Sequence, residues 1–203
     1  MIKQTILLLS LAAAPLAHAN DDFFYVGGKL GVEYVQAHQT PNISYDSAND
    51  NETITGGYLG YQVKFSPAFS AAIEAEYMNR DHMLAYSANE QSLQATMDYN
   101  ASIGILLKHH YAENVDFNLR FSNVKSEVSV NPTSDQNDIS TGDLNGYQMA
   151  VGFDLLNQSQ MSFRIEYVYS NFGEKAIYPT DLSANNKTEI RSTAIVIGAH
   201  YRF

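Results

Sequence analysis

The sequence predicts an all-β fold: an eight-stranded antiparallel up-and-down transmembrane β-barrel with a polar interior, four long extracellular loops and three short periplasmic turns. Three observations carry this expectation. Eight segments alternate apolar and polar residues with the period of a strand, whose successive side chains point to opposite faces. The connections between them alternate long and short. The last segment, ending IVIGAHYRF, places an aromatic residue, Phe203, at the end of an alternating row.

The amino terminus reads as a targeting segment. Lys3 supplies a positive start, Ile6 to Leu16 an apolar stretch, and Ala17-His18-Ala19 a small-x-small cleavage site. This is the pattern of a secretory signal peptide, so residues 1–19 are expected to be removed and residues 20–203 to form the barrel domain. The apolar stretch is too short to cross about 30 Å of hydrocarbon, which takes roughly 20 residues. No later run is long and apolar enough either, so a membrane reading requires a closed barrel, in which strands pair around and leave no backbone group unsatisfied.

The strands follow in order. The first, about Phe24 to Val35, sets Phe24, Val26, Gly28, Leu30, Val32 and Tyr34 against Lys29 and Glu33. The second, Ile54 to Phe65, sets Leu59, Tyr61, Val63 and Phe65 against Tyr58, Gln62 and Lys64, and Ser66-Pro67-Ala68 makes a tight turn. The third, Phe69 to Arg80, opposes Ile73 and Tyr77 to Glu74, Glu76 and Arg80. In the fourth, about Ser92 to Leu107, the apolar row Leu93 to Leu107 opposes Gln94, Thr96, Asp98, Asn100 and Ser102. The fifth, Val115 to about Ser122, opposes Phe117, Leu119 and Phe121 to Asp116, Asn118 and Arg120; its phase shifts near Asn123, which predicts a bulge there or the end of the membrane-embedded part. The sixth, Leu144 to Leu155, turns Gln148 and Asp154 away from its apolar row. The seventh, Met161 to Tyr169, does the same with Arg164 and Glu166. The eighth, from about Glu189, closes the barrel with Ile195, Ile197, Ala199, Tyr201 and Phe203 on one face and His200 and Arg202 on the other.

The long polar links, Gln36–Thr53, Asp81–Gln91, Asn123–Asp143 and Ser170–Thr188, all lie at one end. The short links, Ser66–Ala68, Lys108–Asn114 and Leu156–Gln160, lie at the other. Membrane barrels of this kind carry short periplasmic turns and longer extracellular loops, so both termini are expected in the periplasm. Phenylalanines gather toward the periplasmic rim and tyrosines toward the outer rim, as interfacial girdles do. A soluble sandwich or lipocalin-like barrel also alternates; the targeting segment, the loop pattern and Phe203 favour the membrane.

Eight strands leave a lumen that side chains fill. The face away from lipid is expected to hold Lys29, Glu33, Lys64, Glu74, Glu76, Arg80, Asp98, Asp116, Arg120, Asp154, Arg164, Glu166, His200 and Arg202. Charges removed from water must pair, so this set is expected to form a nearly neutral network that rigidifies the barrel; a narrow gated ion path through rearranged pairs is the functional alternative. Glu74 and Glu76, two apart on one strand, read as salt-bridge partners rather than as an acid–base pair.

The remaining chemistry is sparse. There is no cysteine, hence no disulfide framework or thiolate metal site. A net charge of −10 disfavours nucleic acid. His109 and His110 fall in a predicted periplasmic turn and read as solvated, and His82 with Ser87 or Ser92 is the only His–Ser neighbourhood at the outer end. No GxSxG, HExxH or P-loop is present. The sequence therefore predicts no catalytic residue, cofactor or metal.

The segment DDFFYVGGKLGVEY, the eight alternating stretches and the IVIGAHYRF ending resemble the opacity/OmpA-like family of small outer-membrane β-barrels, the "porin family" proteins, over essentially the whole chain after the targeting segment. The resemblance implies the bacterial outer membrane as the location. Ile195, Ile197, Ala199, Tyr201 and Phe203 would then form the carboxy-terminal assembly signal read by the barrel-assembly machinery. The expected partners are outer-membrane lipid and lipopolysaccharide, with a host or surface ligand at the loops. The peptidoglycan-binding domain of larger members has no counterpart here, so wall anchoring is not expected. The expected function is non-enzymatic: a structural or surface-interaction role in adhesion or envelope integrity. A narrow porin-like channel is the alternative, and a lipid A-modifying enzyme comes third.

Overall fold

The computed structural model describes residues 22–40, 49–88, 91–132, 140–156, 160–175 and 187–203. Side chains at positions 37–40, 49–50, 81–88, 91–95, 130–132, 140–141, 156, 174–175 and 187–188 lie outside that description, as does the targeting segment. The described chain forms eight strands: β1 Phe23–Thr40, β2 Asn49–Lys64, β3 Phe69–Ala88, β4 Gln91–Ala112, β5 Val115–Pro132, β6 Ser140–Leu156, β7 Met161–Lys175 and β8 Lys187–Arg202. Each pairs antiparallel with its sequence neighbours, and β8 pairs with β1 to close the barrel. Closure removes both sheet edges, which lipid would otherwise leave without hydrogen-bond partners. The carboxy terminus takes part: the Phe203 backbone N–H donates to Phe24 O at 2.8 Å.

The outer wall is a belt of large apolar side chains. Leu30, Val32, Leu59, Ile73, Ile103, Ile105, Val151, Ile165, Ile195 and Ile197 all point outward and are exposed. An exposed apolar surface of this extent must be covered by something apolar, and here a bilayer does so. Ring pairs mark its two rims. Phe24 packs on Tyr61 and Tyr201 on Phe203 at the periplasmic rim, whereas Tyr77 stacks on Tyr99 and Tyr147 lies beside Tyr169 at the outer rim.

The strands run further than the alternation predicted. The expected link Asp81–Gln91 is strand up to Ala88 and again from Gln91, and the expected turn Lys108–Asn114 is strand up to Ala112. Segments 41–48, 89–90, 133–139, 157–159 and 176–186, within the predicted loops and turns, lie outside the described residues.

β5 explains the extra length. Its pairing with β6 is continuous from Val115 to Val130, so there is no bulge at Asn123. What reverses there is the chemistry. Below it, Phe117 and Phe121 face out while Asp116, Asn118 and Arg120 are buried; above it, Asn123 and Lys125 face out while Val124 and Val128 are buried. The strand has left the hydrocarbon. Past the outer rim its outer face meets water and its inner face can be apolar, as in a soluble barrel. Val35, Met97, Leu144, Phe172 and Ile190 are likewise buried in the outer reach of the barrel.

Candidate functional site

The alternation that turns apolar residues to lipid turns charged ones into the lumen, and in the middle of the barrel they converge. Lys29 Nζ lies 2.8 Å from Glu166 Oε2, is paired with Glu76, and stands 3.7 Å from Glu74 Oε1. Arg120 Nη1 reaches Glu76 Oε2 at 2.9 Å, and Nη2 lies 3.6 Å from Glu166 Oε2. Arg164 bridges two levels, donating from Nη1 to Glu74 Oε2 at 2.6 Å and from Nε to Asp154 Oδ1 at 2.7 Å. Tyr25 O–H donates to Glu74 Oε2 at 2.8 Å, and Asn118 Nδ2 to Asp154 Oδ1 at 3.0 Å. Both Lys29 and Arg164 also sit over the Tyr58 ring, at 4.5 and 5.0 Å. All these ionised groups are nearly fully buried. In such a setting each charge is held by several partners, and removing any one strands the others.

Toward the outer rim the lumen is closed differently. Ile54, Met78, Ala150, Val168, Ala194 and Val196 form an apolar cluster. Beside it Arg80 Nη2 pairs with Glu33 Oε1 at 2.7 Å, and the Arg80 guanidinium stands over the Phe172 ring at 5.5 Å. The cavity left between the charged and apolar levels, lined by Lys29, Glu76, Arg120 and Val196 among others, has a volume of about 10 Å³. That is about the smallest volume that holds one water molecule.

Of the predicted interior residues, Lys29, Glu33, Glu74, Glu76, Arg80, Arg120, Asp154, Arg164 and Glu166 lie in these two groups. Asp116 and His200 are buried nearer the periplasmic end, and Lys64 and Arg202 are half-buried at its mouth. Asp98 is the correction. It is exposed on the outside of the barrel, with Ser129 O–H 3.4 Å from its Oδ2. The cause is a β-bulge: Met97 pairs with Val128 and Tyr99 with Glu127, so Asp98 has no partner position and the inside–outside phase slips by one. Met97 is thereby turned inward and is fully buried. Lys108 was missed. Taken from its sequence as the start of a turn, it is buried in strand, with Nζ 2.5 Å from Asp154 Oδ2. Its even-numbered register with Asn100 and Ser102 was the available signal.

The histidines divide. His109 packs outward against the Phe69 ring at 4.8 Å, whereas His110 Nδ1 pairs with Asp116 Oδ1 at 2.7 Å. His82, Ser87 and Ser92 are in strand backbone, with Ser87 opposite Ser92, but their side chains lie outside the described ones. Among the described residues no group of three or more His, Cys, Asp or Glu is placed to hold a metal ion. Ile195, Ile197, Tyr201 and Phe203 point outward in one row on β8, with Ala199 between them.

The family model for the outer membrane protein beta-barrel domain matches residues 5–203. The chain belongs to this family. The bacterial outer membrane is accordingly its location, and the belt described above is its lipid face. Among solved structures, members of this barrel class are similar throughout. The attachment invasion locus protein Ail of Yersinia pestis aligns with TM-score 0.55 and 11% identity, covering 88% of this chain and 98% of Ail. The neisserial surface protein A aligns with TM-score 0.57 and 13% identity, covering 89% and 97%. OprG of Pseudomonas aeruginosa aligns with TM-score 0.52 and 14% identity, covering 90% and 95%. At these identities the likeness concerns the fold. The outer membrane protease OmpT of Escherichia coli is also similar, with TM-score 0.52 and 11% identity, so the fold alone does not separate enzymes from non-enzymes. A search of curated proteins gives no match.

Proposed function

We propose that this outer membrane beta-barrel protein is a non-enzymatic scaffold whose activity resides at its outer surface, in adhesion or envelope integrity. The observation that carries this reading is the filled lumen. A layer of buried ion pairs and an apolar layer follow one another along the axis, with only about 10 Å³ between them. A conducting path would have to break pairs such as Arg164–Glu74 and also wet an apolar constriction. Among the described residues, these two levels argue against the narrow-channel reading. A rigid scaffold that holds connecting segments at one end is where binding usually resides.

The chemistry of those segments limits the ligand. The predicted outer links Gln36–Thr53, Asp81–Gln91, Asn123–Asp143 and Ser170–Thr188 contain eleven Asp and Glu against three lysines, Lys125, Lys175 and Lys187, and no arginine. The structural neighbour Ail has been seen in complex with the heparin analogue sucrose octasulfate. A polyanion of that kind is poorly matched to the acidic segments here, and a ligand with exposed cationic groups is matched better. In the same reading residues 1–19 are a cleaved signal peptide, the β8 row ending at Phe203 is the signal for the barrel-assembly machinery, and lipopolysaccharide surrounds the outer rim.

Deleting the four outer segments one at a time and measuring adhesion of expressing cells to host cells and matrix tests the proposal. At least one deletion should abolish adhesion while leaving the barrel in the outer membrane. Unchanged adhesion in all four, together with an unchanged detergent sensitivity of the cells, would refute it.

A further inference from the structure

Below the outer rim the barrel is closed on every side; above it, the seam between β2 and β3 is open. The last described pair between these strands is Thr55–Asn79. Asn79 also pairs with Tyr99, whose ring marks that rim with Tyr77. Both strands nevertheless continue. β2 runs on to Asn49 against β1 alone, and β3 runs on to Ala88 against β4 alone. The parting has a local cause. The β3–β4 register shifts between Asn79 and His82, so β3 carries an extra residue there, and the β4–β5 register slips beside it at Asp98. Bulges bend a strand and increase its twist, which turns the outer part of β3 away from β2. From Arg80 to Ala88 one side of the β3 backbone therefore has no strand partner among the described residues. The stretch is about 30 Å long at ordinary strand spacing and stands clear of the hydrocarbon, in water.

A free strand edge pairs readily with another chain, and proteins blunt such edges with lysine or proline. Neither occurs from Arg80 to Ala88, nor in the facing stretch Asn49–Ile54. The charge around the seam selects what docks there. The outer stretches of β2, β3 and β4, residues 49–55, 80–88 and 91–98, hold Asp50, Glu52, Asp81 and Asp98, with Arg80 as the single cation. Arg80 is itself held by Glu33 at 2.7 Å. The seam between β6 and β7 differs. Past its last pair, Tyr147–Asn171, Gly146 still packs on the Asn171 carbonyl with no room for a Cβ. Its charge is also balanced: Lys175 offsets Glu174, and Lys125 pairs with Asp143.

We infer that the free edge of β3 takes an extended basic polypeptide segment as an added strand. The backbone from Arg80 to Ala88 supplies the hydrogen bonds, and the carboxylates around the seam select lysine or arginine on the incoming segment. This rests on the reading that binding resides at the outer surface, and it names the partner's chemistry and the mode of docking.

The probe is a synthetic peptide as long as the free edge, alternating lysine with valine, titrated into the refolded full chain in an uncharged detergent. It should bind saturably, and binding should slow amide hydrogen exchange from Arg80 to Ala88 but not from Ser140 to Gly146. N-methylation of all the peptide's amides keeps its charge and removes its N–H donors, and should weaken binding at least about tenfold. The double variant Asp50→Asn/Asp81→Asn should weaken it roughly twofold to tenfold, the range of exposed ion pairs, whereas Glu174→Gln at the other seam should leave it unchanged. Heat-modifiable gel migration of each variant confirms that it has folded. No saturable binding, equal affinity for the N-methylated peptide, or unaltered exchange from Arg80 to Ala88 overturns the proposal. Self-association of the chain that the peptide does not displace makes a second copy the occupant, and also overturns it. The readout does not involve adhesion, so failure here and failure of the surface reading are told apart.

Discussion

Individual residues in this barrel derive their worth from the side of the wall they occupy. Arg164 is buried between Asp154 and Glu74; Arg164→Met leaves both carboxylates short of a partner and should lower the unfolding free energy in detergent by about 3–5 kcal/mol. Asp98 lies outside on its bulge, and Asp98→Asn should change stability by no more than about 0.5 kcal/mol. Urea titration of the two variants side by side measures the difference. Parity of position made most interior charges legible in the sequence, because one phase holds from Phe69 to Arg80 and from Met161 to Tyr169. Parity failed at Asp98, since a bulge leaves no mark in the apolar–polar pattern when the flanking residues are Met97 and Tyr99, both apolar. Lys108 was overlooked for another reason: its neighbours His109 and His110 suggested a solvated turn, yet one faces lipid-side Phe69 and the other pairs with Asp116.

Strands carry the boundary between membrane and water. On β4 and β5 the outward rows pass from Ile103, Ile105 and Phe121 to Asn123 and Lys125. Ile105→Arg, near mid-depth of the apolar belt, should cost roughly 2–4 kcal/mol, whereas Lys125→Ala should cost almost nothing; folding titrations into lipid vesicles report both. The lengths of these strands were not legible, because above the outer rim the exposed face becomes polar, as in a loop, while the pairing continues. β7 carries a second irregularity. Its register with β8 shifts between Asn171 and Glu174, where Gly173 has φ of 73° and its N–H donates to the Asn171 side chain at 2.8 Å. A side chain is disfavoured in that conformation, so Gly173→Ala should destabilise by about 1–2 kcal/mol, again read from the urea midpoint. For β8, Phe203→Ser should reduce the amount of protein recovered in the outer membrane, measured by fractionation, with little effect on refolding in detergent.

At the scale of the whole molecule, the architecture is a stack. A polar cavity opens to the periplasm, buried ion pairs fill the centre, and an apolar cluster with further apolar side chains closes the outer end. The lipid belt makes the assembly a membrane protein, and the stack makes it a solid one. Fold class, strand number and location were all legible, since closure and lipid exposure impose a two-residue period on every strand. A lumen filled by paired charges was legible too, from the strand number; the apolar level at its outer end was not, because it depends on which inward side chains meet across the barrel, and only the three-dimensional register decides that. The folded barrel should migrate faster than its boiled form on a detergent gel. Single-channel recording of the refolded protein in a planar bilayer tests the central claim most directly. The filled lumen predicts no current steps above the lipid background; reproducible steps of defined size would contradict it.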